Sequence, residues 1–506
     1  MYGLVLIFHP LYGMIALLVN RIVAFFTAKK RFLASVLLFV MALSYRFIWL
    51  NEGFFHHDAV LLINAVAESI RERAVIPFLE GRHFYVILHI PVYLIAGFMD
   101  IPYDYTFNFA TAFTAACSVV FIFLLSYEIF NDFFTSFFAA LLFCFMPIYV
   151  SVTTHAMVHA FSVLFVILAF YLMVKGNRKA KPLFWLFSSL SYVASVSIRF
   201  SNILLILPFV WFAWETLLPA MRKSYYIKSC LFTSLSVLIG LLVVINLQWE
   251  HVLAKSKYDE WLGLFSPIIG VGIQTILNNI GFGGFILFIA GVCLVGVSEY
   301  KNVGGVFILW FLITFFFYAN LSTYDERFFC ELLPSLVILL AFAIQKLYRF
   351  SRAGTAIIVF LLLLNMVFVA FPIIKDRHIY SGEKEYALWV KRITPADAVI
   401  LAMDDFVFIQ FYSERKTIEH PVNPSFAEAE KWVEELFAKY GKAAVPLYAI
   451  ESAFSYDANG AIARALRKRF YFKEAGSFLC EDYHKATLSR NLYRAKLIQL
   501  IAKEQY

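Results

Sequence analysis

Two histidines and an aspartate, His56, His57 and Asp58, lie in the segment NEGFFHHDAV (51–60), which directly follows a long apolar run. A carboxylate at the end of such a run is well placed to accept the proton of a substrate hydroxyl. The three side chains could also bind a divalent metal, but adjacent residues rarely converge on one ion without a distant further ligand. Asp58 could instead cap a helix that begins at Ala59. We predict Asp58 as a catalytic base and His57 as a substrate contact, with a divalent metal not favoured.

Further polar and ionisable residues are predicted on the same face as Asp58, several with a structural alternative. Arginines from separate segments could hold a phosphate or pyrophosphate by paired hydrogen bonds. Arg199 could instead extend to the membrane interface, and Arg327 could belong to a local ion pair. His155 and His159 have the spacing of one helix face and could bind metal, although an interface pair is favoured. The predicted substrate-binding residues are His57, Glu80, Arg82, His155, Arg199, Tyr324, Asp325 and Arg327.

The composition is that of a protein that crosses the membrane many times. Hydrophobic residues make up 61% of the 506 residues and charged residues only 15%, whereas a soluble protein carries about a quarter charged residues. The formal charge of +8 is attributed to basic loops between the spans rather than to nucleic-acid binding. Six single cysteines show neither metal-ligand spacing nor a disulfide framework.

Apolar runs of membrane-spanning length predict about 11–12 spans, depending on whether residues 1–27 form a further one. They are placed at 33–50, 105–130, 133–151, 156–174, 183–198, 202–218, 230–248, 281–298, 303–320, 330–347 and 354–374. Lys and Arg are concentrated in alternate loops, such as KGNRKAKP (175–182) and KLYRFSRAG (346–354). Because basic loops stay on the cytoplasmic side, this alternation predicts that the loop 51–104 and everything after residue 375 are extracytoplasmic.

Two apolar segments of the first outer loop predict helices that lie at the membrane surface. DAVLLINAVAESIRERAV (58–75) has one polar stripe at helical spacing, and FYVILHIPVYLIAGFM (84–99) is short for a span. Past residue 375 the sequence is more charged, and strands alternate with helices. The predicted fold class is mostly α: a polytopic transmembrane helical bundle over 1–375, followed by a small C-terminal extracytoplasmic α/β domain over 376–506.

These features resemble the GT-C superfamily of polyprenyl-phosphate-sugar-dependent glycosyltransferases. The span followed by HHD and an amphipathic helix is similar to that family's first outer loop, and YDERFFCELLPSLVILLAF (324–342) resembles its late Arg-aromatic-Pro segment. The segment TPADAVILAMDDFVFIQFYSERKTIE (394–419) resembles the outer domain of prokaryotic members. The nearest branch is the protein-mannosyltransferase-like and aminoarabinose-transferase-like one.

The resemblance assigns roles to particular residues. Asp58 matches the catalytic aspartate, Glu80 and Arg82 match an acidic and basic pair ahead of the interfacial helix, and Arg327 matches the arginine near the carrier phosphate. Asp58 is followed by Ala59 where many relatives have Glu, and His83-Phe84 replace paired prolines. The tryptophan-rich motif of oligosaccharyltransferases is absent, which makes transfer of a whole glycan to asparagine an unfavoured activity.

The resemblance implies an inverting glycosyltransferase in a prokaryotic cell membrane. It would take a mannose-like or related hexose from a polyprenyl- or dolichyl-phosphate carrier and pass it to a hydroxyl of a protein, glycan or lipid. A transporter or flippase for a lipid-linked or anionic substrate is the alternative, although its charges should lie near the bilayer midplane. A scaffold that binds partners through its outer domain is a third reading, and it leaves the first-loop cluster without a purpose.

Overall fold

The computed structural model describes residues 29–76, 82–179, 181–217, 237–240, 242, 268–298, 300–319, 326–379, 381–403, 406–441, 445–484 and 489–503. Helices dominate the first three quarters of the chain. They are α1 (Lys29–Ile48), α2 (His57–Glu72), α3 (His83–Met99), α4 (Tyr103–Phe130), α5 (Phe133–Phe145), α6 (Pro147–Thr153), α7 (Val158–Lys179), α8 (Pro182–Ile198), α9 (Ile206–Leu217), α10 (Ile268–Gly296), α11 (Lys301–Ala319), α12 (Leu333–Phe350) and α13 (Arg352–Ile379).

Seven helices of the described ranges are long and apolar enough to cross a membrane, and the bent pair of α5 and α6 could form an eighth span. An α-helix rises about 1.5 Å per residue, so about 20 residues match a hydrocarbon core of about 30 Å. The predicted spans at 183–198 and 202–218 correspond to shorter apolar helices. Of the predicted span at 230–248, only residues 237–240 and 242 are described, and they are helical. The possible span within 1–27 lies outside the described residues. The chain is a multi-pass membrane protein with the predicted helical bundle.

The break between α5 and α6 shows how a membrane protein interrupts a helix without losing hydrogen bonds. The two helices meet at an angle of 57°, which frees the carbonyl of Cys144 and the amide of Ile148. The guanidinium of Arg46 donates to the Cys144 carbonyl (3.2 Å), and the side-chain oxygen of Asn279 accepts from the Ile148 amide (2.9 Å). Buried side chains from α1 and α10 therefore satisfy the groups that lipid could not.

Helices α2 and α3 match the two helices predicted in the first loop, and their position at the membrane surface stays a prediction. In α2 the apolar positions are buried, whereas Glu68 and Glu72 lie on the exposed side and pair with Arg71. Helix α3 contains Pro91 and, with 17 residues, is shorter than each of the seven helices that are long enough to cross a membrane. The amphipathic pattern of α2 thus predicted both the helix and its buried face.

The C-terminal part forms the predicted small α/β domain. Its helices are α14 (Gly382–Ile393), α15 (Phe426–Leu436) and α16 (Ala461–Arg469), and its strands are β1 (Val399–Leu401), β2 (Lys416–Ile418), β3 (Leu447–Ile450), β4 (Phe470–His484) and β5 (Ser489–Ala502). The sheet order is β2-β1-β3-β5-β4. Strand β1 pairs in parallel with β2 and β3, and β5 runs antiparallel to β3 and β4. The domain boundary at 375/376 stays a prediction.

Candidate active site

His56, His57 and Asp58, which we name the Asp58 cluster, lie at the N-terminus of α2. The helix begins at His57, and its N-cap is His56, whose Nδ1 accepts from the Asp58 amide (3.2 Å). The alternative role of Asp58 as the N-cap is therefore wrong, because the preceding histidine takes that position. His57 Nε2 lies 2.9 Å from Asp58 Oδ1, and the side chain of Asp58 is 21% exposed. The carboxylate is held in place and still accessible.

The surroundings of Asp58 keep its carboxylate ionised. Burial raises its pKa, but hydrogen bonds and charge from His56 and His57 outweigh burial and hold the pKa well below the usual value of 3.8. His56 Nδ1 is 3.5 Å from Asp58 Oδ1, and one nitrogen cannot both accept from the amide and donate to the carboxylate. We therefore regard His57 as the firmer partner. The positive end of the α2 dipole acts in the same direction.

Tyr85, a residue not predicted from the sequence, experiences the charges of both Arg82 and Asp58. Burial raises the pKa of Tyr85, and the charges of Arg82 and Asp58 act on the same phenol, the first lowering its pKa and the second raising it. The Tyr85 ring also contacts His89 and Phe161. The charges of Asp58 and Arg82, from two segments, therefore act on one phenol in opposite directions. The spacing of Tyr85 after Arg82, at the start of an interfacial helix, is the signal that could have identified it.

The Asp58 cluster is also the group of possible metal ligands found among the described residues, with ligand atoms within 4.8 Å of one another. The Nδ1 of His56 is already engaged by the Asp58 amide. A neutral His56 ring that accepts at Nδ1 carries its proton on Nε2, so in this arrangement it offers no lone pair to a metal. His57 and Asp58 then remain as ligands, whereas catalytic zinc sites use three protein ligands. The residues do not fit a resident metal well, and no step of the mechanism below passes through one.

A second group, His159, Arg199 and Glu331, which we name the Glu331 cluster, is fully inside the helical bundle. Arg199 Nη1 and His159 Nδ1 each lie 3.2 Å from Glu331 Oε1. Their side chains are 10%, 2% and 1% exposed for Arg199, His159 and Glu331. Ser162 and Ser201 extend the network, because Ser162 Oγ donates to Glu331 and Arg199 Nε donates to Ser201 Oγ. The network connects α7, the segment after α8, and the 3-10 helix Glu326–Leu332.

The predicted pairing of His155 with His159 on one helix face is wrong. Helix α6 ends at Thr153 and α7 begins at Val158, so His155 lies in the turn between them. His155 contacts the Phe55 ring at 5.2 Å between centroids and so faces the loop of the Asp58 cluster. Arg199 and His159 instead face Glu331. Glu331 is the one charged residue in the apolar stretch 328–344. An acid in such a stretch indicates either a functional residue or a buried ion pair.

Arg327 lies on the same 3-10 helix as Glu331. Both Arg327 and Arg199 lie over the ring of Phe328, at 5.5 and 5.0 Å from its centroid. The buried Glu331 cluster therefore anchors the segment that presents Arg327. The predicted site residues Glu80, Tyr324 and Asp325 lie outside the described residues.

Comparisons with known proteins confirm the predicted fold. No family model and no curated protein matches the sequence. The structure of ArnT from Cupriavidus metallidurans bound to undecaprenyl phosphate superposes with a TM-score of 0.63 at 11% identity, over 92% of this chain and 97% of that one. Its apo structure gives the same values. The Archaeoglobus fulgidus oligosaccharyltransferase in complex with Zn and sulfate gives 0.55 at 11% identity, over 87% of this chain and 71% of that one. The chain has the GT-C fold.

Proposed function

We propose that this protein is a membrane glycosyltransferase that uses a sugar linked to a polyprenyl-phosphate carrier. The likeness to ArnT, which was solved with undecaprenyl phosphate and matches almost end to end, is the observation that carries the proposal. The Asp58 cluster supplies a matching chemical group, an ionised and accessible carboxylate at the start of the first surface helix. Both the long apolar bundle and the exposed apolar side chains suit a lipid-linked donor.

The proposed reaction is a single displacement that inverts the anomeric carbon. The acceptor hydroxyl oxygen attacks that carbon, the bond to the carrier phosphate breaks, and the hydroxyl proton passes to Asp58. The phosphate leaves with the bonding electron pair, and Arg327 and Arg82 stabilise its charge. A carboxylate with a lowered pKa is a weak base, but phosphate is a good leaving group, so orientation and ionisation of Asp58 matter more than its strength.

The donor is proposed to be a mannose-like or related hexose on a polyprenyl or dolichyl phosphate. The acceptor is a hydroxyl of the cell envelope, on a protein, a glycan or a lipid. We place the reaction on the extracytoplasmic face, because the basic loops alternate with the loops that carry Asp58 and the C-terminal domain. A prokaryotic plasma membrane is proposed because the segment 394–419 resembles the outer domain of prokaryotic members. His57 and His155 are proposed to line the acceptor side.

The test is a transfer assay with purified protein, radiolabelled polyprenyl-phosphate sugar and a lipid extract. We expect label to leave the carrier, and we expect Asp58→Asn to lower the rate by at least about a hundredfold, since general base catalysis contributes about 10²–10⁴. Glu68→Gln is the matched control, because Glu68 is on the exposed side of the same helix. Near-wild-type turnover in Asp58→Asn would remove the assigned role of Asp58. Label that stays on every carrier tested would remove the proposed function.

A further inference from the structure

The loop that leads to Asp58 has no regular secondary structure, so side chains from elsewhere must bind its backbone groups. Within the helical bundle, the side chain of Asn108 donates to the carbonyls of Asn51 (3.2 Å) and Gly53 (3.1 Å). Its oxygen accepts from the amide of Ala156 (2.7 Å), and the Asn51 amide donates to the Thr154 carbonyl. One fully buried amide thus joins this loop to the turn that carries His155.

Side chains of the C-terminal domain bind two further backbone groups of the same loop. The Tyr412 hydroxyl accepts from the Phe54 amide (2.9 Å) and donates to Asp104 Oδ2 (3.1 Å). Lys384 Nζ donates to the Glu52 carbonyl (2.9 Å) and to the same Asp104 oxygen (3.1 Å). Asp104 lies at the start of α4. The Asp104 carboxylate therefore accepts hydrogen bonds from two side chains of the C-terminal domain, Tyr412 and Lys384. Each of these side chains also binds the backbone of the loop.

The contact is closely packed as well as hydrogen-bonded. A Cβ added at Gly53 would meet Lys384 Cδ at 2.8 Å and the Tyr412 hydroxyl at 3.1 Å. Phe54 is fully buried, and its ring contacts Phe107 of the bundle and Phe411 of the C-terminal domain. A larger residue at position 53 would therefore force the loop and the domain apart.

We propose that Tyr412, Lys384 and Asp104 are positioning residues, through which the C-terminal domain holds the loop 51–58 and so orients Asp58. The catalytic half of this proposal rests on the proposed function, whereas the structural half does not. Only three residues separate Phe54 from Asp58, so a shift of the loop reaches the carboxylate directly. Burial, then the neighbouring Asp104, raises the pKa of Tyr412, so its hydroxyl donates throughout the neutral range.

The test compares Tyr412→Phe with Tyr440→Phe in the full-length protein. Both change a buried tyrosine of the same domain by one oxygen, and the Tyr440 hydroxyl has no hydrogen-bond partner among the described residues. Amide hydrogen exchange of the peptide covering 51–58 reports whether the loop is held. Sugar transfer, with kcat and KM for the carrier determined separately, reports whether the hold matters for the reaction.

We expect Tyr412→Phe to speed exchange in 51–58 and to lower kcat about tenfold, because a small misplacement of a catalytic group is costly. The KM for the carrier should stay within about twofold, since the phosphate site is unchanged. Tyr440→Phe should change neither measurement. Lys384→Met, at a side chain that is 20% exposed, should reproduce the Tyr412→Phe result.

Three outcomes would overturn the proposal. Unchanged exchange in both Tyr412→Phe and Lys384→Met would show that these side chains do not hold the loop. Faster exchange with an unchanged kcat would show that holding the loop does not orient Asp58. Equal effects in Tyr440→Phe would assign any change to general loosening of the domain. If the wild type transfers no sugar, the proposed function fails, and hydrogen exchange still decides whether the domain holds the loop.

Discussion

The Asp58 cluster and the Glu331 cluster are built from the same kinds of group, histidine beside a carboxylate, on the same bundle of helices. Their accessibility differs sharply. His57 is 51% exposed and Asp58 21%, whereas His159 and Glu331 are 2% and 1% exposed. The Asp58 cluster lies at the N-terminus of α2 and is partly exposed. The Glu331 cluster connects three elements inside the bundle.

This difference teaches what each cluster can do. An accessible carboxylate can meet an acceptor hydroxyl and receive its proton. A buried carboxylate that already binds an arginine and a histidine cannot, because releasing either partner would leave an uncompensated charge. We therefore assign chemistry to the Asp58 cluster, and to the Glu331 cluster the task of holding the 3-10 helix Glu326–Leu332, which presents Arg327.

The largest effect on stability is expected from Glu331→Gln. The change keeps the shape of the side chain but leaves the buried Arg199 without its counter-charge, which should cost about 3–5 kcal/mol of unfolding free energy. Unfolding in mixed micelles with increasing dodecyl sulfate measures this loss. Glu68→Gln, on the exposed side of α2, should stay within about 0.5 kcal/mol. An equal response in the two variants would contradict the structural role of the Glu331 cluster.

Sequence reasoning located the long apolar helices of the described residues and the helix that begins beside Asp58, but it did not find the Glu331 cluster. Hydropathy locates helices because each span must be apolar over its own length. The predicted spans at 133–151 and 156–174 imply a break near 152–155, but the exact start of α7 is not visible locally, since residues 154–157 contain neither glycine nor proline. The spacing alone therefore assigns His155 to the same helix face as His159. The break is stabilised by the distant residues Asn51 and Asn108, which bond to Thr154 and Ala156. Strand β5 was missed in the same way, because its pairing partners β3 and β4 define it.

A double variant tests whether the buried charges act as a pair. Removing Arg199 and Glu331 together, as Arg199→Met with Glu331→Met, leaves neither residue of this pair as a buried charge without its partner. Buried pairs replaced by apolar residues are often close to neutral in stability. We expect the double variant to be more stable than the sum of the single variants predicts, with an interaction energy of about 0.5–3 kcal/mol. Additive losses in the same unfolding assay would show that the two side chains act independently.

The same substitution in the two clusters separates their roles more finely. His159→Gln removes a buried ring that contacts Glu331 and should cost about 1–3 kcal/mol of unfolding free energy, the usual range for disrupting a buried hydrogen bond. His57→Gln is at a half-exposed position and should stay within about 0.5 kcal/mol. In the transfer assay the order should reverse, with His57→Gln changing the rate per folded molecule more. If His57→Gln were the less stable variant, the comparison between the clusters would be wrong.

The smallest expected effect is the pH dependence that belongs to Asp58. Its pKa is lower in the folded protein than the ordinary value of 3.8, so the unfolded chain binds the proton more readily. Its contribution to stability is therefore complete above about pH 4 and is lost as the pH falls below it. The difference in melting temperature between the wild type and Asp58→Asn should not shrink from about pH 8 to pH 5 and should shrink at lower pH. A melting-temperature difference that already shrinks between pH 7 and pH 5 would mean that the histidines do not hold the carboxylate ionised. Asp58 would then not stay ionised, and so would not remain available as a base, over that pH range.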